Sequence, residues 1–159
     1  RGCRGLGEVY KGQHEALPFQ SDFADEGAAN HVRLCESHGE AGVELLVWGR
    51  DAASSYDGRF PARQTRQSCE TIARRHRLDP ARTVLLQQSR TAIEAGAFHN
   101  DVVCVGTRTC LFYHEQAFED RDGAVAAVRR AASGLFEPDF VEVPASEVSL
   151  DDAITSYLF

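Results

Sequence analysis

Residues 43–48 (VELLVW), apolar but for Glu44, have the pattern of a buried strand. A polar loop carrying Ser54, Ser55, Asp57 and Gly58 follows over residues 49–58. Pro61 suits a first helical turn, and Thr65, Cys69, Ile72, Ala73 and His76 recur at helical spacing. A helix is therefore predicted from residue 61 to residue 76, with Arg63 in its first turn. Residues 83–87 (TVLLQ) predict a short strand, and residues 91–95 a weak helical turn. Residues 102–105 and 109–113 predict a hairpin about Gly106, Thr107 and Arg108. Residues 122–132 read as a helix with Val125, Val128 and Ala132 on one face, and residues 140–143 as a final strand. Ser149, with Asp152 three residues on, is a capping signal. The helix it starts is expected to continue past Phe159. Strands joined by helices place the chain in the α/β or α+β class.

Composition narrows the function classes. A chain of 159 residues, 43% hydrophobic and 26% charged, can bury one ordinary core. The net charge of −7 weighs against nucleic-acid binding. Arg59, Arg63, Arg66, Arg74, Arg75 and Arg77 cluster, but an exposed helix face explains most of them. No apolar run reaches the roughly 18 residues of a membrane span, and no signal peptide is evident. A cytoplasmic location without a membrane partner is expected. Five cysteines at irregular spacing (Cys3, Cys35, Cys69, Cys104, Cys110) match neither a disulfide framework nor a zinc pattern. Cys104 and Cys110 flank Thr107 symmetrically and are expected opposite each other in the hairpin, as small buried hydrophobes. The chain contains no Met, and residues 1–15 are Gly-rich without a period. An internal piece of a longer protein is expected, with residues 1–16 non-native or disordered beside a domain over 17–159.

Two segments carry candidate chemistry. In AFHNDV, residues 97–102, His99 and Asp101 stand one residue apart ahead of an apolar run. On a strand, positions i and i+2 share a side. An imidazole can pass protons near neutral pH, and a carboxylate can hold a cation. In DEGAANH, residues 25–31, two carboxylates, an amide and an imidazole surround small residues. That set is compatible with acid–base work, guanidinium binding or a metal. Taken singly, each segment reads more simply as a turn or cap, with Asp25 capping a helix start. A metal at Asp25, Glu26 and His31 has no second His-rich segment to complete it, so no metal is expected. His31 reads as a partner of Glu26 or a turn residue, and His114 as a partner of His99 or a structural histidine. His14, His38 and His76 read as surface residues.

Four segments together, DEGAANH, RFPARQTR (59–66), AFHNDV and LFYHEQAF (111–118), resemble the N-succinylarginine dihydrolase family, in that family's order. The closing residues 143–145 and 156–159 fit as well. The resemblance covers roughly residues 17–159. It implies a guanidine-modifying enzyme of the pentein superfamily, here part of a five-bladed β/α propeller truncated at both ends. It further implies that Glu26 and His99 are catalytic and that Arg63 and Asp101 bind substrate. The family's nucleophile is a cysteine in a Gly-Gly-Gly-Pro-Ala-Cys segment, which this sequence lacks. The family's N-terminal substrate-binding segment is also missing.

The reaction so implied hydrolyses the guanidinium of N2-succinyl-L-arginine to N2-succinyl-L-ornithine, ammonia and carbon dioxide, in arginine catabolism. It needs no cofactor. Carboxylates hold the guanidinium, a thiolate attacks its carbon, and His99 protonates the departing ammonia. Arg63 suits a substrate carboxylate. Without the cysteine, this stretch alone is expected to be inactive. The full-length enzyme is expected to take a small-molecule substrate and to form a homodimer. The alternative is a non-catalytic scaffold or binding domain that keeps the fold.

Overall fold

The structure, a computed structural model, describes residues 17–23, 28–51 and 56–159. It is a mixed α+β arrangement of two three-stranded sheets and, among the described residues, four α-helices. In chain order these are β1 (His31–Cys35), β2 (Gly42–Trp48), α1 (Arg66–Arg75), β3 (Thr83–Gln87), α2 (Arg90–Ala95), β4 (Cys104–Thr107), β5 (Cys110–His114), α3 (Arg121–Ala132), β6 (Asp139–Val143) and α4 (Leu150–Ser156). One sheet runs β1-β2-β3 and the other β4-β5-β6. Each begins with an antiparallel hairpin and adds a parallel strand through a crossover helix. The chain therefore repeats one strand–strand–helix–strand module. A short helix follows each module (α2, then α4), and a 3-10 turn precedes each first strand, at Ala28–Asn30 and Asn100–Val102.

The central strand β2 contains the apolar stretch Leu45, Leu46, Val47 and Trp48, and Leu45 to Val47 are buried because both its faces are covered. Leu45 and Val47 join Val32, Leu34, Val84 and Leu86 in the main core, with Leu111 and Tyr113 from the second sheet and Val128 and Ala132 from α3. Strand alternation turns Leu46 to the other side, where α1 packs across β2 and β3 and Arg66 lies 5.9 Å from the Trp48 ring. Helix α3 fills the space between the sheets. It packs on β2 and β3, and Arg129 lies 5.2 Å from the Phe140 ring of β6. Arg82 anchors its end, donating from Nη1 to Ser133 O at 2.9 Å and to Ala131 O.

The two sheets meet at β1 and β4. Cys35 N–H donates to Arg108 O at 2.8 Å. Beside that bond, a Cβ on Gly106 would stand 2.3 Å from Val32 Cγ1 and 2.9 Å from Leu34 Cδ2. The far face of the second sheet carries a row in register, Val105, Phe112 and Val141. Val105 and Val141 are 42% and 46% exposed, and the Phe159 ring stacks on Phe112 at 4.6 Å.

Several expectations need correction. The first helix starts at Arg66, not at Pro61. Gly49 N–H donates to Arg63 O and Gln64 O, Arg50 bridges Thr65, and Gln64 takes φ +26. Residues 61–64 are thus spent on contacts with the strand end, and Thr65 caps the helix by accepting from Ser68 N–H at 3.0 Å. Helix α4 ends at Ser156, where Tyr157 adopts φ +51, so it does not run past Phe159. In the hairpin, Cys104 faces Tyr113 while Cys110 faces Thr107, so the two cysteines are not opposed. The turn falls on Arg108 and Thr109, with Arg108 at φ +50. Strand β1 is an addition to the expected elements, and its HVRLC sequence alternates in the pattern of a half-buried strand. Residues 1–16 lie outside the described residues.

Gly106→Ala should destabilise the full-length protein by about 1–3 kcal/mol, because β-branched Val32 and buried Leu34 have little room to shift. An unchanged denaturation midpoint would show that the sheets do not depend on this close approach.

Candidate active site

The segment bearing His99 is shaped by the end of α2. Ser89 caps this short helix by accepting from Ala92 N–H, and Gly96 ends it at φ +112, a conformation glycine adopts without strain. The reversal buries Ala97 fully, and Gln88 Nε2–H donates to Ala97 O at 2.6 Å. His99 then stands extended, at φ −106 and ψ 142, as the residue before the 3-10 turn Asn100–Val102. The strand begins only at Cys104. Asp101 is therefore an exposed residue of a tight turn, and the side-by-side alternation expected of a strand from Val102 does not arise.

The structure draws the motif segments together around that turn. Asn30, just after the Asp25–Gly27 stretch, accepts at Oδ1 from Asn100 N–H at 2.9 Å. Phe60 stacks on Phe98 with ring centroids 6.0 Å apart, and Phe98 meets the half-buried His99 edge-on at 5.1 Å. Two bonds to Glu94 on α2 hold this arm: Tyr56 OH donates at 2.7 Å and Arg59 N–H at 3.1 Å. Arg63 lies at the end of the same arm, half-buried, its backbone fixed against Gly49. The fourth motif backs the site, since Ser89 N–H donates to Ala117 O at 3.0 Å and Gln88 bridges Phe118. Glu26 and Asp25 lie outside the described residues. Clefts along α3, lined by residues such as Arg82, Arg130, Tyr113 and Glu142, lie away from His99, Asp101 and Arg63.

Over residues 8–159 the sequence matches the profile of the succinylarginine dihydrolase family. The chain belongs to that family. The match begins upstream of Leu17, where the motif resemblance starts. Curated relatives include N-succinylarginine dihydrolase 2 of Caulobacter vibrioides, 63% identical over 92% of this chain and 32% of the relative. The N-succinylarginine dihydrolase of Sphingopyxis alaskensis is 56% identical over 89% of this chain and 32% of its own length. That of Shewanella sediminis is 49% identical over 92% and 33%. The chain thus spans about a third of the length of these relatives.

Within this family member, two histidines are occupied elsewhere. His31 sits on β1 with Nε2 2.8 Å from Glu44 Oε2, and Arg33 Nε–H donates to Glu44 Oε1 at 3.0 Å. Burial raises the Glu44 carboxyl, but the His31 hydrogen bond and the charges of His31 and Arg33 outweigh it and hold the carboxyl below its usual range. The cluster stabilises the fold above the ordinary carboxylate range and loses that effect as pH falls through the lowered value. His114 is wholly buried. Gln116 N–H donates to its Nδ1 at 3.1 Å, so Nε2 carries the proton and donates to Val148 O at 2.9 Å. It ties the β5 end to the loop before α4.

The thiols divide by environment. Burial pushes the Cys104 thiol up to about 12, with the Asn100 amide offsetting part of the effect, and burial likewise pushes Cys69 up to about 12. Cys35 is 1% exposed, and Cys110 is half-buried. Cys69 and Cys104 should therefore resist alkylation in the native full-length protein at about pH 8 and react only on unfolding. Peptide mass spectrometry showing either thiol modified in the folded state would contradict this.

Proposed function

We propose that this chain is the part of an N-succinylarginine dihydrolase that supplies its acid–base histidine, two carboxylates and an anion-binding arginine. The reaction is hydrolysis of N2-succinyl-L-arginine with two waters to N2-succinyl-L-ornithine, two ammonia and carbon dioxide. The observation that carries the reading is the convergence of three motif segments on the turn after His99, through Asn30–Asn100 and Phe60–Phe98. Glu26 and Asp101 hold the guanidinium N–H fork and localise its charge. A thiolate adds to the guanidinium carbon, and His99 gives a proton to the departing ammonia. His99 then takes a proton from the water that cleaves the adduct, and the cycle repeats on the ureido product. Arg63 pairs bidentately with a substrate carboxylate.

The nucleophile comes from outside these 159 residues. Burial of Cys35, Cys69 and Cys104 supports this, because an attacking thiolate needs access and a stabilised charge. The repeated module and the exposed Val105 and Val141 on the outer face of the second sheet support a propeller of further such modules.

In the full-length enzyme, His99→Ala should cut ammonia release by about 10²–10⁴-fold, the usual range for a lost acid–base group. Cys104→Ser and Cys69→Ser should leave it within a few fold. Activity surviving His99→Ala, or lost with Cys104→Ser in a folded protein, would sink the assignment.

Arg63→Lys should raise KM for N-succinylarginine about tenfold or more while kcat changes little, because an ammonium cannot replace the fork. An unchanged KM would remove Arg63 from the substrate site.

A further inference from the structure

We propose that Asn30 is a positioning residue for His99, acting as a helix cap supplied from across the chain. The inference rests on the reading of His99 as the acid–base group. A residue in the N-cap position normally turns its own side chain back to a free N–H of the turn it starts. Ser89, Thr65, Asp120 and Ser149 all do so in this molecule. His99 occupies that position for the turn Asn100–Val102 and makes no such bond. The first N–H of the turn, that of Asn100, is satisfied by Asn30 Oδ1, 70 positions away in sequence, at 2.9 Å. Asn30 is 2% exposed and Asn100 fully buried, so this donor has no water to fall back on.

The peptide linking His99 to Asn100 is thereby fixed to Asn30, so the backbone at His99 is held to the turn that enters β1. The two turns are also equivalent in the repeated module, since Asn30 ends the 3-10 turn before β1 and Asn100 opens the one before β4. One side-chain carbonyl thus couples matching points of two successive modules.

The test compares Asn30→Leu, which keeps the shape and removes the acceptor, with Asn30→Asp, which keeps the acceptor. Both are made in the full-length enzyme, beside His99→Ala. Ammonia release is measured as kcat and KM, and near-ultraviolet circular dichroism confirms the native fold. Asn30→Leu should lower kcat about tenfold to a hundredfold with KM within about twofold, the scale of a small misplacement of a reacting group. Asn30→Asp should recover most of that loss. Wild-type kcat in Asn30→Leu, or equal impairment in a folded Asn30→Asp, overturns the clamp while leaving His99 in place. Full activity in His99→Ala overturns the reading beneath it. If Asn30→Leu does not fold, Asn30→Ser decides: its shorter hydroxyl should give an intermediate kcat, and a wild-type kcat overturns the proposal.

Discussion

Two sheets can share one core here because nothing but a hydrogen projects from Gly106. Val32 and Leu34 of β1 occupy the space a side chain would take, and the Cys35 to Arg108 hydrogen bond locks the strands just beyond. The sheets touch along β1 and β4 and part toward β3 and β6, where α3 fills the gap with Val128 and Ala132. Close contact on one side and a helix on the other make each module a wedge.

The same glycine shows where sequence reasoning stops. In the pattern Gly106-Thr107-Arg108 it resembles a turn residue, because glycine before polar residues commonly marks a reversal. It is a strand residue instead, and the turn passes to Arg108 in a left-handed conformation. That shift of the turn is what moves the partner of Cys104 from Cys110 to Tyr113. Local patterns located β2, β3, β5, α3 and β6 well, since an apolar run or a periodic face reports burial directly. Pro61 misled the helix start because its signal is local, whereas the competing demand came from Gly49 and Arg50 across the chain. Strand β1 was legible in the alternation of Val32 and Leu34 with His31 and Arg33, but DEGAANH drew its first residue into a motif.

The residues of the candidate site were legible by type and not by geometry. His99 and Asp101 stand two positions apart at a 3-10 turn rather than on a strand, so their relation depends on a turn that no period announces. Asn30 lies inside DEGAANH, where the sequence alone gives it no role. What gives it one is a single backbone N–H 70 positions away, a partner that only the fold brings near. Phe60 and Phe98 are similar: each is an ordinary aromatic in sequence, and their stacking is what brings the Arg63 arm to the His99 segment.

The wedge also gives the site its location. Each module enters its first strand through a 3-10 turn, and these first strands are the ones that touch. Groups at those turns can therefore lie near one another although they belong to different modules and are far apart in sequence. The bond from Asn100 to Asn30 joins the two entry turns directly. It adds to the contact that β1 and β4 make at Gly106 and Cys35, so the turns are held both by the sheets and by one buried hydrogen bond between them.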